Sequence, residues 1–176
     1  GREQGETHGE DGKQEAHQSR DELMLFSGDG LNDQAMAINV GAHAEYRDAE
    51  GRFWCPDREG KSLPWTFEGG EFDKLGPKPN VLGTDDDPLY QTFREGIKRC
   101  RFAVPDGTYQ LELRFAEPVF AEPGQRVFDV RVNGQPILEG LDLAKRAGLN
   151  RAFIHRSNVV ARDGRALLHD AAAGAR

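Results

Sequence analysis

The chain has 176 residues, 37% of them hydrophobic and 30% charged, with a net charge of −7, which gives room for one ordinary domain and a tail but not for two full domains. The acidic balance and the short, isolated Lys/Arg runs argue against general affinity for nucleic acid, whose phosphates are met by clustered basic side chains. No stretch approaches the about 20 apolar residues of a membrane-spanning helix, so we expect no membrane partner.

The first 20 residues contain no aromatic and no large aliphatic side chain. Such a segment buries too little apolar surface to offset the entropy that it loses on ordering. We therefore predict a disordered polar linker over residues 1–30, one folded domain over 31–170 and an irregular tail over 171–176.

Short segments in which apolar and polar residues alternate dominate the folded part, which is typical of half-buried antiparallel strands. In chain order, strands are predicted at 35–40, 52–55, 89–93, 99–104, 109–115, 126–132, 135–138, 152–155, 158–160 and 166–168. Asn133-Gly134 is the strongest short hairpin signal, since both residues tolerate the positive φ of a type I′ turn. Asp106-Gly107 and Asp163-Gly164 are turn signals of the same kind.

The remaining segments look irregular. Residues 56–88 are rich in Gly, Pro and Asp and predict a long loop, where binding groups usually lie on a β scaffold. Only 141–147 shows a brief helical pattern. Many short strands separated by turns predict an all-β fold, a jelly-roll-like antiparallel β-sandwich. The tail has no strand pattern, so we expect the sandwich to lack its closing C-terminal strand and to expose an unpaired edge.

The sequence offers no cofactor or metal site that can be recognised. Cys55 and Cys100 lack metal-ligand spacing; they form either one disulfide or two buried thiols, and the position of Cys100 inside a predicted strand favours thiols. The run Asp85-Asp86-Asp87 lacks the spacing of a calcium loop and predicts a solvated turn instead. We therefore expect neither a cofactor nor a metal.

Four motifs in order along the chain carry a resemblance to a known family. They read Ile-Asn-Val-Gly at 38–41, Leu-Tyr-Gln-Thr at 89–92, Leu-Arg-Phe-Ala-Glu at 113–117 and Val-Phe-Asp-Val-Arg-Val-Asn-Gly at 127–134. Each is weak alone, but the ordered set over residues 36–163 resembles the malectin-type carbohydrate-binding family.

This resemblance implies a lectin-like β-sandwich that binds short glucose- or galactose-containing oligosaccharides through loops at one end. Bacterial modules of this type are often attached to glycoside hydrolases, so the resemblance also implies a covalently linked hydrolase domain as a partner. It further implies an extracytoplasmic location. It gives no reason to expect nucleic acid as a ligand.

The resemblance also points to candidate carbohydrate-binding residues. Tyr90 keeps the aromatic ring of the Leu-Tyr-Gln-Thr motif, and Phe120 keeps a second one, whereas Val119 stands where the family carries a tyrosine. Phe67 corresponds best to a third aromatic, with Trp65 close enough to substitute. Flat rings of this kind suit the apolar faces of sugars.

Glu117 is the acidic candidate for this site. It ends an alternating strand and has two readings: it accepts a hydrogen bond from a sugar hydroxyl, or it pairs with Arg94 or Arg114. The acidic contact that the family places near the end of its fold has no counterpart in this chain.

Two other classes of function compete with carbohydrate binding. A glycosidase needs two carboxylates about 5–10 Å apart across a cleft, and none of the many acids lies in a recognisable catalytic signature, so we expect no enzyme activity. A ligand-free structural or protein-interaction sandwich is favoured by the loss of an aromatic at Val119 and by the missing acidic contact and closing strand.

Overall fold

The computed structural model describes residues 20–21, 23–28, 36–72 and 77–172. These residues form twelve strands and two short helices, which in chain order are β1 (Arg20–Asp21), β2 (Leu23–Gly28), β3 (Met36–Asn39), β4 (Tyr46–Arg47), β5 (Phe53–Pro56), β6 (Trp65–Phe72), α1 (Pro88–Gln91), β7 (Arg94–Ala103), β8 (Gly107–Phe115), β9 (Phe128–Val132), β10 (Gln135–Leu141), α2 (Leu143–Arg146), β11 (Phe153–Ala161) and β12 (Arg165–Ala172). Neither helix is long or apolar enough to cross a membrane.

The strands form two sheets that pack face to face. The first sheet has the order β1-β7-β12-β9-β10, with β6 also paired to β7, and the second has the order β11-β8-β2-β3-β5-β4. The described pairs are antiparallel except for β3 with β5. The predicted all-β antiparallel sandwich is confirmed.

The core lies between the two sheets and follows the predicted alternation. In β8, Leu111, Leu113 and Phe115 are buried, and they belong to one cluster with buried residues of β7, β9 and β12. The rings of Phe115 and Phe128 meet edge to face with their centroids 5.6 Å apart, a geometry favoured by aromatic quadrupoles. This cluster fixes the second sheet against the first.

Only one of the three predicted Asx-Gly turns joins paired strands. Asn133 and Gly134 have φ of 47° and 81° and connect β9 to β10 as a type I′ hairpin. Asp163 and Gly164 also have positive φ and form the predicted tight turn, closed by a bridge between Arg162 and Arg165. Beyond this bridge, β11 and β12 belong to different sheets. Asp106-Gly107 likewise connects β7 to β8 across the two sheets.

Two predictions within residues 56–93 are wrong. The predicted strand at 89–93 is instead α1, since a short apolar run does not distinguish helix from strand and Pro88 at the helix start favours the helix. The predicted loop at 56–88 contains β6, whose glycines bend it at a bulge after Glu68. The predicted helix at 141–147 is confirmed as α2, capped by Asp142.

The predicted domain boundaries also need correction at both ends. The closing strand is present as β12, which pairs with β7 on one side and β9 on the other. The alanines at the end of β12 give no alternating pattern from which a strand could be predicted, although they pair through their backbone groups. At the other end, β2 pairs with β3 and β8, so the domain begins inside the segment predicted as linker. Residues 1–19 and 173–176 lie outside the described residues.

The two cysteines are free thiols, as the sequence favoured. Cys100 is buried in β7, and Cys55 is half-buried in β5. Burial raises the pKa of the Cys55 thiol above its ordinary value, which keeps this thiol protonated and unreactive near neutral pH.

The central position of β12 generates a stability prediction. Leu168 lies on β12 between Cys100 and Val132 and is buried in the core, so we expect Leu168→Ala to lower the free energy of unfolding by about 2–5 kcal/mol. Leu82→Ala, the same change at a half-exposed side chain, is the matched control and should have little effect. Denaturant titration measures both. Equal effects of the two changes would contradict a central β12.

Candidate functional site

A small cavity lies where several loops meet at one end of the sandwich. Its volume is about 150 Å³. Its walls come from the loop before α1, from α1 itself, from the start of β7, from the segment after β8 and from the residue before the turn into β11. The lining residues are Pro77, Lys78, Pro79, Val81, Tyr90, Gln91, Phe93, Ala116, Pro118 and Asn150.

Backbone hydrogen bonds tie these loops to one another. The Leu82 N–H donates to the carbonyl of Asn150 over 2.8 Å, and the Asn150 N–H donates to the carbonyl of Glu117 over 2.8 Å. The Ala152 N–H returns to the carbonyl of Leu82 over 2.9 Å. Because three separate segments share this ladder, the cavity walls are fixed without a ligand.

The carboxylates before α1 hold the loops in place. Asp86 Oδ1 accepts from the Tyr46 hydroxyl over 2.9 Å and from the Ala49 N–H over 2.8 Å, and Asp87 Oδ2 accepts from the Val81 N–H over 3.1 Å. Burial and the neighbouring Asp86 raise the pKa of Tyr46 to about 12. These two acids therefore have protein partners, as expected for a turn.

Side-chain amides place α1 from both ends. Asn39, on β3, donates to the carbonyl of Pro88 over 3.5 Å and accepts from the Thr92 hydroxyl over 3.1 Å. Gln91 donates to the carbonyl of Pro79 over 2.8 Å. Short amide side chains commonly fix loops in this way, and here they set the position of Tyr90 between Pro88 and Thr92.

Tyr90 lies in the cavity wall but is mostly buried. Its side chain is 3% exposed and packs in a second apolar cluster with Trp54, Leu89 and Ala116. The ring therefore offers a ligand only the part that lines the cavity. Its predicted role as a stacking platform is limited to that surface.

Glu117 has a structural role instead of the predicted hydroxyl contact. It is 1% exposed; Oε2 accepts from Arg126 Nη1 over 2.6 Å, while Oε1 accepts from the N–H groups of Val119 and Phe120 over 2.9 and 3.1 Å. Its partner is neither of the arginines considered from the sequence: Arg94 pairs with Asp57, and Arg114 pairs with Glu112.

Phe120 is held beside the cavity by this ion pair. The Arg126 guanidinium carbon lies 4.6 Å from the Phe120 ring centroid, and the two N–H bonds to Glu117 fix the turn that carries the ring. Phe120 is half-buried and Val119 is exposed. Phe120 follows Pro118 in the cavity wall by two positions, a backbone span of at most about 7 Å.

The structure separates Trp65 from this end of the sandwich. Trp65 pairs with Phe102 near the end of β7, whereas Phe72 pairs with Arg94 at its start. Seven residues of strand correspond to about 23 Å. Trp65 is also 7% exposed and belongs to the main core, so it cannot substitute for Phe67 as a ring that stacks on a ligand.

Phe67 and Phe72 flank a buried arginine at the start of β7. The Arg94 guanidinium carbon lies 5.3 Å from the Phe67 ring and 4.3 Å from the Phe72 ring, and Arg94 is bound by Asp57 through two hydrogen bonds. Phe67 packs on the core, while Phe72 is 37% exposed and stacks on His43.

Two site residues were not identified from the sequence. Phe72 follows Gly69-Gly70 at the same distance in sequence at which Phe67 precedes it. The segment around these glycines therefore offered Phe72 as an aromatic candidate alongside Phe67. Asn150 has a φ of 50°, and its Oδ1 is buried without a hydrogen-bond donor among the described groups. Left-handed backbone and an unsatisfied buried acceptor both mark functional positions, but neither can be read from a sequence.

The comparison with protein families decides the assignment. The family model described as the malectin domain matches residues 34–173. The chain belongs to the malectin family. Malectin-B of Xenopus laevis is 34% identical over 131 residues, which cover 71% of this chain and 45% of that protein. Human malectin is 34% identical over 132 residues, covering 72% of this chain and 43% of that protein.

Solved structures agree with this assignment. A Bacteroides uniformis β-glucuronidase matches with a TM-score of 0.68 and 27% identity, over 77% of this malectin domain and 16% of that chain. The ANXUR2 extracellular domain from Arabidopsis thaliana matches with a TM-score of 0.61 and 18% identity, over 83% of this chain and 48% of that one, which shows the shared fold alone. The domain thus spans less than half of the curated malectins and of these structures.

The family consists of carbohydrate-binding domains that are not themselves catalytic. Within the part of the chain that the structure describes, no three His, Cys, Asp or Glu side chains gather in a way that could hold a metal ion. The donor atoms around the cavity are amides, backbone groups and one lysine, a set that suits hydroxyl groups.

The buried pair beneath Phe120 generates the second prediction. Glu117→Ala leaves Arg126 without its closest carboxylate and removes the acceptor for two backbone N–H groups, so we expect a loss of about 3–5 kcal/mol in unfolding free energy. Glu50→Ala, which removes an exposed partner of Arg52, should leave the denaturation midpoint unchanged. An equally small effect at Glu117 would show that the pair does not hold this end of the fold.

Proposed function

We propose that the malectin domain binds a short glucose- or galactose-containing oligosaccharide in the cavity between Tyr90 and Asn150, without catalysing a reaction. The observation that carries the proposal is Asn150, which lines the cavity and whose buried Oδ1 has no donor among the described groups. A sugar hydroxyl is a donor of the right kind, and it would remove the cost of an unsatisfied polar atom.

The composition of the cavity suits one sugar ring. Rings and aliphatic groups of Tyr90, Phe93 and Pro118 supply apolar surface for C–H groups, while Gln91 and Asn150 supply amides for hydroxyls. The volume of about 150 Å³ is below the about 300–1,000 Å³ of pockets for drug-sized ligands. The cavity is therefore suited to a terminal sugar, with further residues of the oligosaccharide extending along Phe120 or Phe72.

The fixed walls favour binding because the loops lose little conformational entropy when a ligand enters. Backbone hydrogen bonds already join the three segments around Leu82, Glu117 and Asn150, so little loop entropy is lost when a ligand enters. A small, partly polar cavity nevertheless gains little net free energy after hydroxyls are desolvated, and we expect weak affinity.

The same walls argue against hydrolysis. Glycosidases use two carboxyl groups on either side of the scissile bond. The described cavity lining contains no Asp or Glu. Nearby acids in sequence already accept hydrogen bonds from protein groups, namely Asp86, Asp87, Glu95 and Glu117. We infer a binding module, attached to a glycoside hydrolase and acting outside the cytoplasm, a context that the similarity to β-glucuronidase supports.

A ligand-free spacer is the second candidate. Exposed Val119, in place of an aromatic, and the burial of Tyr90 favour it, since both reduce the surface on which a sugar ring could stack. The two functions make opposite predictions for Asn150, because a spacer does not use its side-chain oxygen.

Asn150→Gly tests the proposed function. Glycine accepts the left-handed backbone and deletes only the side chain, so we expect oligosaccharide affinity to fall about tenfold or more while the melting temperature changes little. Asp163→Gly, the same type of change in a left-handed turn outside the cavity, should bind as the unaltered domain does. Calorimetric titration with glucose- and galactose-containing oligosaccharides gives the affinities.

Two results would contradict the proposal. The spacer is supported if the folded, unaltered domain binds none of these sugars at millimolar concentration. A binding module with a different site is indicated if Asn150→Gly and Asp163→Gly bind equally well.

A further inference from the structure

The outward face of the first sheet carries four arginines on three neighbouring strands. Cys100 and Phe102 of β7 and Ala166 and Leu168 of β12 point into the core, so the alternate residues of these strands point outward. They include Arg99 and Arg101 on β7 and Arg165 on β12; Arg131, beside buried Val130 and Val132 on β9, is the fourth.

The strand register places these side chains in rows. One row crosses four strands, with Glu68 opposite Arg99, Arg99 opposite His169, and His169 opposite Arg131. Neighbouring strands are about 4.8 Å apart, and alternate residues on a strand about 6.6 Å apart. Arg99 and Arg131 are thus about 10 Å apart at the backbone, and Arg99 and Arg101 about 7 Å apart.

Among the described residues, two carboxylates lie on this face, Glu68 and Asp129. Asp129 precedes Arg131 by two residues on β9, but it is buried and accepts from the Gly140 N–H over 2.7 Å. Glu68 lies 3.4 Å from Arg99, but both side chains are largely exposed, and such pairs are weak. Arg101, Arg131 and Arg165 form no ion pair with any described carboxylate. Burial lowers the pKa of His169, and the positive charge of Arg99 lowers it further, which agrees with their facing positions. The concentration of positive charge contrasts with the chain's net charge of −7.

A recess of about 420 Å³ is lined by three of these arginines, Arg99, Arg101 and Arg165. Besides the arginines, its lining supplies a hydroxyl from Thr66, an acceptor from Glu68 and an apolar surface from Leu167. A guanidinium presents a planar set of donors that matches a carboxylate or sulfate in bidentate geometry. The recess therefore combines anion-binding groups with groups that suit hydroxyls and C–H surface.

We propose that this arginine face, formed by Arg99, Arg101, Arg131 and Arg165, binds an acidic polysaccharide as a second contact surface, separate from the Tyr90 cavity. The spacing of about 7–10 Å between these arginines at the backbone fits a polymer with one charge per sugar ring. Duplex DNA carries one charge per about 1.7 Å, so the acidic remainder of the domain repels it more strongly. The recess also lacks an aromatic side chain on which a base could stack.

The experiment titrates the whole domain with oligogalacturonate at low salt, using the methyl-esterified oligomer as a matched neutral probe. We expect binding of the charged form alone. Arg101→Gln combined with Arg165→Gln should weaken it about tenfold or more, with unchanged melting. Arg47→Gln combined with Arg58→Gln removes the same charge from exposed positions elsewhere and should leave the affinity within about twofold.

Asn150→Gly separates this proposal from the cavity site. Retained oligogalacturonate binding in that variant supports a second surface, whereas its loss would place the acidic sugar in the cavity and overturn the proposal. No binding by the unaltered domain, or equal losses in the two arginine pairs, would overturn it as well. Tighter binding of anionic vesicles or duplex DNA that depends on Arg101 and Arg165 would assign the face to another class of partner.

Discussion

The buried ion pair between Glu117 and Arg126 organises the end of the sandwich that carries the candidate site. The Glu117 side chain accepts from Arg126 and from the N–H groups of Val119 and Phe120, and its backbone carbonyl accepts from the Asn150 N–H. Glu117 thus sets the turn that carries the half-buried Phe120 ring and the backbone of Asn150, whose side chain holds the unsatisfied acceptor. A buried pair of this kind costs much in desolvation, and the additional hydrogen bonds offset that cost.

This arrangement divides the acids of the domain from its binding surface. Carboxylates at 57, 86, 87 and 117 fix arginines, hydroxyls and backbone amides, while the cavity itself is lined by rings, aliphatic groups, amides and Lys78. The same chemical group that could catalyse glycoside hydrolysis is used here to hold loops. A rigid cavity without a free carboxylate agrees with a non-catalytic carbohydrate-binding domain.

The sequence predicted those elements in which side-chain pattern and structure coincide. Alternation identified β8 and β9 because their apolar residues face the core at every second position. Asn133-Gly134 identified β10, the hairpin partner of β9, because positive φ restricts residue choice. Pattern predicted only residues 166–168 of β12, because its final residues are alanines, and it failed for β6, whose two adjacent glycines resemble a loop. It also failed for α1, because four residues are too few to show a helical period.

The site was harder to predict because its properties depend on burial. Tyr90, Trp65 and Glu117 were candidates for their residue types, but the fold buries all three and gives Glu117 internal partners. Contacts between segments distant in sequence determine the exposure of Phe72. They also determine the left-handed backbone of Asn150 and leave its side-chain oxygen without a described donor. Motifs therefore indicated the family and the loops, and the three-dimensional structure indicated which atoms in those loops remain available.

Isotope-labelled NMR titration with the oligosaccharide panel tests the central claim most directly, namely that the preformed loop end receives the sugar. The side-chain amide signals of Gln91 and Asn150 and the backbone signals of residues 116–120 should shift together and saturate at a common ligand concentration. Shifts confined to the outer face of the first sheet or to the β9–β10 hairpin, with these amides unchanged, would contradict the account.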